Sequence, residues 1–238
     1  MNSLLASFNC KHCTEENKKE FLQAERLTLL RKLDKTSRVK PSINFYSHKL
    51  RALQYAESML ETDAYLRLEF EPTVKRYLTQ PCSFKLKINN RKTRYTPDAL
   101  VEDIHGEYFF LEVKPEEKLQ EDKNQQKFTQ IKSYFENELN VPFKILTEKN
   151  IREGKLTQNL QQLYGFLDVK LNKATTKKII SSLPKEITVK TLEQFCGQFN
   201  QLPHYGWALI AHGYFNFNFE KMLTKSSLIS INHNRLGA

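Results

Sequence analysis

No apolar run in the 238 residues approaches the ~20 that a bilayer-spanning helix requires, so no membrane partner is expected. The first residues, "MNSLLASFNCKHCTEENKKE", hold a short apolar patch without a basic flank, which argues against a signal peptide. Only four cysteines occur, with one close pair at Cys10 and Cys13. That usage excludes a disulfide scaffold and suits a reducing cytoplasm. "CKHC" also puts His12 between two thiols, yet zinc would want a fourth ligand and a second ligand pair, and neither follows. Acidic residues are in deficit as well. Lys and Arg number 37 against 27 Asp and Glu, a formal charge of +10 that suits a polyanionic partner, most simply nucleic acid. An apolar fraction of 39% leaves enough material for a real core.

The chain divides by composition. Residues 1–40 are polar and basic, with a helical stretch at "FLQAERLTLLRKL" and an arm or linker at "KTSRVKPS". A helix is expected from Ser47, because Leu53, Ala56, Leu60, Ala64 and Leu68 recur at three- or four-residue spacing. "SFKLKI", "TRYTPDALVE" and "EYFFLEVKP" read as a three-strand meander with turns at "NNRK" and "DIHG". A long polar helix follows, with Phe128, Ile131 and Phe135 as its buried stripe. "PFKILTE" is a fourth strand and "TQNLQQLYGFL" another helix. Residues 41–167 thus form an α/β domain. In residues 168–238, three short helices precede two short strands, the order of a winged helix.

Two acidic residues sit where plain strands would not want them. Residues two apart on a strand share a face, so Leu111 and Val113 point one way and Glu112 and Lys114 the other. Asp98 follows a proline on the preceding strand, and a short turn brings it beside Glu112. Two carboxylates so close repel, and one is driven to protonate unless a cation lies between them. A hard divalent ion with oxygen ligands answers that need: Mg²⁺, with Mn²⁺ able to substitute, held by Asp98, Glu112 and the main-chain carbonyl of Val113. Lys114 would then orient a bound water or offset charge on a phosphate. A Glu112–Lys114 surface ion pair alone would be worth at most ~1 kcal/mol and would leave Asp98 unexplained.

Pro-Asp, spacer, Glu-x-Lys resembles the PD-(D/E)xK nuclease superfamily. A further acid is expected from the preceding helix, where Glu57 and Glu61 stand one turn apart. The ordered set "FYSHK", "SMLE", "EPTVKRYLTQP", "YTPDALVE", "LEVKP", "KILTEKNI" and "LQQLYGF" is similar to the TnsA family, the endonuclease subunits of heteromeric cut-and-paste transposases. "LIAHGYFNFNF" continues it in the C-terminal segment, so it spans roughly residues 38–238. "SMLETD" and "QPCSF" look more like the CRISPR-associated subgroup.

The resemblance implies a restriction-endonuclease-like core with a C-terminal winged-helix-like domain. It implies Glu61, Asp98, Glu112 and Lys114 as catalytic residues. It also implies double-stranded DNA at transposon ends as substrate, a TnsB-like DDE transposase and a TnsC-like AAA+ ATPase as partners, and a bacterial, cytoplasmic setting. Gln80 of "TQP" then has a site-shaping or DNA-contact role, with a turn hydrogen bond as the plain alternative. Lys49, Lys85 and Arg94, with Lys87, Arg91 and Lys92, would meet DNA phosphates. Gln130 and Tyr134, one helical turn apart, read as a solvated helix face. The helix containing "WALI" is too apolar to read base edges, which suits docking to the ATPase with Trp207 in the core. A stand-alone nuclease and a non-catalytic DNA-bridging subunit are the alternatives from other classes.

Overall fold

A computed structural model describes residues 43–235. The expectations for the arm at 1–40 and for "CKHC" lie outside these residues. The chain forms two compact units, one ending at Ile151 and the other beginning at Arg152.

The first unit opens with a β-hairpin, β1 (Ile43–Ser47) and β2 (Ala52–Ala56), where a helix was expected from Ser47. The apolar residues there fit both periods. Leu53, assigned to the buried helical stripe, is exposed, whereas Phe45, Ser47, Gln54 and Ala56 alternate inward. The helix begins later, as α1 (Met59–Phe70), where Ser58 caps it by accepting the Glu61 N–H. Its buried Glu69 pins the hairpin. That carboxylate accepts the hydroxyls of Ser47 at 2.5 Å and Tyr77 at 2.6 Å, and the N–H groups of His48 and Lys49.

The expected meander is two structures. β4 (Phe84–Ile88) and β5 (Arg91–Tyr95) form a separate two-stranded ribbon, turned at Asn89 and Asn90, which both have positive φ. Beyond Tyr95 the chain crosses Thr96 and Pro97 before entering β6 (Ala99–Asp103), so "TRYTPDALVE" is two strands broken at the proline. The main sheet has the order β3 (Val74–Thr79), β6, β7 (Tyr108–Val113), β8 (Phe143–Leu146). Its first two pairings are antiparallel and β7–β8 is parallel. β3 was not foreseen. Lys75 and Arg76 interrupt its apolar pattern, and both are paired with Glu102 of β6.

The polar helix after β7 is broken at Glu121 into α2 (Glu116–Gln120) and α3 (Asp122–Ser133), and it ends in a π turn at Tyr134–Glu138. Its stripe of Phe128, Ile131 and Phe135 is buried as expected. It packs in one core with Phe84, Leu86, Ile88 and Tyr95 of the ribbon and with Leu78, Leu100 and Phe110 of the sheet. Gln130 lies on the exposed face of α3 as expected, while Tyr134 is half-buried against the core. Gln130 accepts the Asn89 N–H at 2.9 Å and donates to the Asn89 side chain at 2.6 Å, fastening the ribbon's turn to α3. A short helix α4 (Glu148–Ile151) closes the unit.

In the second unit, α5 (Leu156–Tyr164) and a 3-10 turn at Gly165–Asp168 precede α6 (Lys173–Ser181), β9 (Glu186–Thr188), α7 (Val189–Gln198), α8 (His204–Ala211), β10 (Phe215–Phe217) and β11 (Leu228–Ile231). The three strands form one sheet in the order β10-β11-β9. The sequence-based boundary at 167/168 and this division differ by α5 and its turn. Asn159 of α5, fully buried, donates to the Lys221 carbonyl at 2.9 Å and accepts the Leu223 N–H at 2.8 Å. Residues Tyr205–Ala211 of α8 are buried, so "WALI" is core. Trp207 stacks on Phe166 and donates its indole N–H to Glu193 at 2.8 Å.

Candidate active site

Strand register brings the predicted carboxylates together. Ala99 lies opposite Leu111 in the β6–β7 pair, so one step further Asp98 stands across from Glu112. On the other flank Thr79 lies opposite Ala99, and the Gln80 N–H donates to the Asp98 carbonyl at 2.8 Å. Gln80, Asp98 and Glu112 therefore form a row across three adjacent strands. Gln80 is buried and has φ +45°, a left-handed conformation that turns the chain at the end of β3. Its backbone hydrogen bond is the turn role weighed from the sequence, now tied directly to Asp98.

Each acid is held by named donors. Asp98 accepts the Val113 N–H at 2.7 Å, and the Tyr65 hydroxyl donates to its main-chain carbonyl at 3.0 Å. Glu112 is buried, with Lys114 Nζ at 2.9 Å from Oε1 and the Tyr95 hydroxyl donating to Oε2. Glu61 is buried at the first turn of α1, while Glu57 is exposed. The Glu61 carboxylate accepts the Ser58 hydroxyl at 2.9 Å and the Glu57 N–H at 2.8 Å, a variant of the capping box. The S-x-x-E spacing of Ser58 and Glu61 is the signal that could have placed the helix start here and turned Glu61 inward.

The electrostatics couple these groups. Burial, and then the Glu112 carboxylate, push the Asp98 carboxyl well above the ordinary range, against the pull of Lys114 and the Val113 N–H. Burial raises Glu61 too, with Lys114 acting in the opposite direction. For Lys114, burial alone would lower the pKa, but Glu112 and Asp98 outweigh it and hold the ammonium above its ordinary value. Lys114 is therefore a fixed positive charge in the metal-free protein, not a neutral base. Tyr65 and Tyr95, which sequence reasoning did not select, are the supports it missed. Nothing in their spacing sets them apart from ordinary core aromatics.

Among the described residues no three His, Cys, Asp or Glu side chains gather as a metal cluster. Of the four predicted DNA contacts, Lys85 and Arg94 lie opposite each other on the exposed face of the ribbon, beside the Lys87–Lys92 pair. Like charges facing each other across strands destabilise a ribbon, and among the described residues none of these four is in an ion pair. Lys49 is placed differently. Its ammonium donates to the carbonyls of Glu71 and Val74, which ties it to the start of β3 and away from the ribbon's charged face.

A mixed α/β core with this acidic and lysine set at one end of its central sheet fits a restriction-endonuclease-like nuclease. Residues 71–148, about a third of the chain, match the family model described as TnsA-like endonuclease N terminal. Gln80, Asp98, Glu112 and Lys114 fall inside the matched segment, and Glu61 lies before it. No curated protein matches the chain.

The raised Asp98 carboxyl has a consequence for stability. Below the ordinary carboxylate range Asp98 is protonated in both folded and unfolded chains, and it imposes no penalty. As pH rises through its elevated folded value, the folded protein must hold a charge it disfavours, and stability is lost. Asp98→Asn keeps an acceptor for the Val113 N–H. In EDTA at pH 7–8 it should melt about 2–4 °C above the unsubstituted protein, and the gain should vanish near pH 4. Thermal unfolding followed by circular dichroism checks this; a variant that melts lower at pH 8 would contradict the charge assignment.

Proposed function

We propose that this protein is a divalent-metal-dependent DNA endonuclease that cuts the 5′ ends of a transposon during excision. The observation that carries the reading is Asp98 facing Glu112, with Lys114 paired to Glu112, inside a TnsA-like endonuclease domain. The donors suit Mg²⁺, with Mn²⁺ as substitute. Asp98, Glu112 and the Val113 carbonyl are hard oxygens, and burial together with the Glu112 charge raises the Asp98 carboxyl, a burden a bound cation would relieve. A bound ion would polarise the scissile phosphate and lower the pKa of a coordinated water. Lys114 keeps its positive charge beside that site, to orient the attacking water or offset phosphate charge. Glu61 completes the acidic set from α1. The product would carry a 5′-phosphate.

In the same reading a TnsB-like DDE transposase cuts and joins the 3′ ends, and a TnsC-like AAA+ ATPase regulates both. The CRISPR-associated subgroup and a cytoplasmic bacterial setting belong to the same proposal. The second unit is proposed as a winged helix. The order helix, strand, helix, helix, two strands from α6 onward supports this. Its third helix is buried along Tyr205–Ala211 and is not free to read a groove, which favours protein docking over base readout. Its exposed Leu202, Met222 and Leu228 are the apolar residues open to such a partner. A chain ending at Ile151 should lose association with the TnsC-like ATPase in a pull-down, whereas retained binding would place docking in the first unit.

Cleavage of a transposon-end duplex, with the transposase partners present, tests the chemistry. In Mg²⁺, Asp98→Ala and Glu61→Gln should each slow cleavage by about 10²-fold or more, while Glu57→Ala leaves it intact. Ca²⁺ should support DNA binding without cutting. Wild-type rates for Asp98→Ala, or rapid cutting in Ca²⁺ alone, would sink the assignment.

The ribbon supplies the second test. If Lys85, Lys87, Lys92 and Arg94 track phosphates, affinity falls steeply with salt. Removing Lys85 or Arg94 should make the slope of log K against log[salt] shallower by about one per lost contact. An unchanged slope in the double variant would move the duplex off the ribbon.

A further inference from the structure

Tyr95 supports the carboxylate pair from beneath. It ends β5, is buried, and donates its hydroxyl to Oε2 of Glu112, while Lys114 holds Oε1. Its ring is confined by Phe135 at 6.1 Å and Phe143 at 6.3 Å, both core residues. The neighbouring Arg94 projects from the opposite, exposed face of the same strand. The ribbon thus carries cations outward and one tyrosine inward to the site.

We infer that Tyr95 is a positioning residue that fixes the Glu112 carboxylate for metal binding. This rests on the metal-dependent reading above. A free glutamate samples several rotamers, and ordering one when the ion binds costs conformational entropy. A rigid donor on one oxygen removes much of that cost in advance. Hydrogen-bonding partners behind metal-ligating carboxylates typically contribute about 10–100-fold in metal affinity. A merely structural role would be different: the hydroxyl would satisfy itself on a buried acceptor, and its loss would change stability alone.

The two roles separate in Mn²⁺ titrations followed by electron paramagnetic resonance, using the full-length chain and its Asp98→Asn and Tyr95→Phe variants. Asp98→Asn should abolish the specific site. Tyr95→Phe keeps the ring packing and should weaken Mn²⁺ by about 10-fold or more. It should also lower the Mg²⁺-dependent cleavage rate, with DNA affinity in EDTA unchanged because the outer face of the ribbon is intact. Melting in EDTA confirms that the variant is folded. Wild-type Mn²⁺ affinity in Tyr95→Phe, alongside a site that Asp98→Asn removes, overturns the inference even if the melting temperature falls. A wild-type chain with no Asp98-sensitive Mn²⁺ site overturns the metal reading and this inference with it.

Discussion

Carboxylates facing one another across paired strands ordinarily weaken a sheet, and in this domain the structure around Asp98 and Glu112 is arranged to hold them there. The Asp98 side chain accepts the Val113 N–H, and its carbonyl receives both the Gln80 N–H and the Tyr65 hydroxyl. Glu112 is held by Lys114 and Tyr95. Four elements contribute to this one position: α1 through Tyr65, the end of β3 through Gln80, the ribbon through Tyr95, and the end of β7 through Val113 and Lys114. Burial, and then the Glu112 charge, still push the Asp98 carboxyl well above the ordinary range. A fold assembled for stability alone would put apolar or oppositely charged residues across these strands.

The ribbon adds a second unfavourable arrangement, this time of cations. Its inner face, Phe84, Leu86, Ile88 and Tyr95, is core, and its outer face places Lys85 opposite Arg94 and Lys87 opposite Lys92. Gln130 clasps the turn, so the cations sit on a supported element rather than a loose loop. Both features, opposed carboxylates within and opposed cations without, are locally unfavourable, and an ion and a phosphate backbone would respectively relieve them.

Much of the centre was legible in the sequence, and the reason is periodicity. "FFLEVK" alternates cleanly, so Glu112 and Lys114 had to share a face, and Asp98 needed only a short turn to reach them. The acid on α1 was harder, because Glu57 and Glu61 are a turn apart. Only the Ser58 cap shows why one is buried and the other exposed. The helix expected from Ser47 failed because Leu53, Ala56 and Leu60 satisfy the helical spacing across a boundary that lies at Ser58. β3 was hidden by Lys75 and Arg76, whose charges read as surface until Glu102 is seen opposite them. Tyr65 and Tyr95 were illegible, since nothing in one sequence distinguishes an aromatic whose hydroxyl supports a buried acid or its main chain from one that only packs.

The central claim is that a divalent ion belongs between Asp98 and Glu112. Anomalous diffraction from crystals grown with Mn²⁺ tests it most directly. The account predicts one peak bridging the two carboxylates, within coordination distance of the Val113 carbonyl. Ordered crystals in saturating Mn²⁺ with no peak there, or with the ion held by other residues, would contradict it.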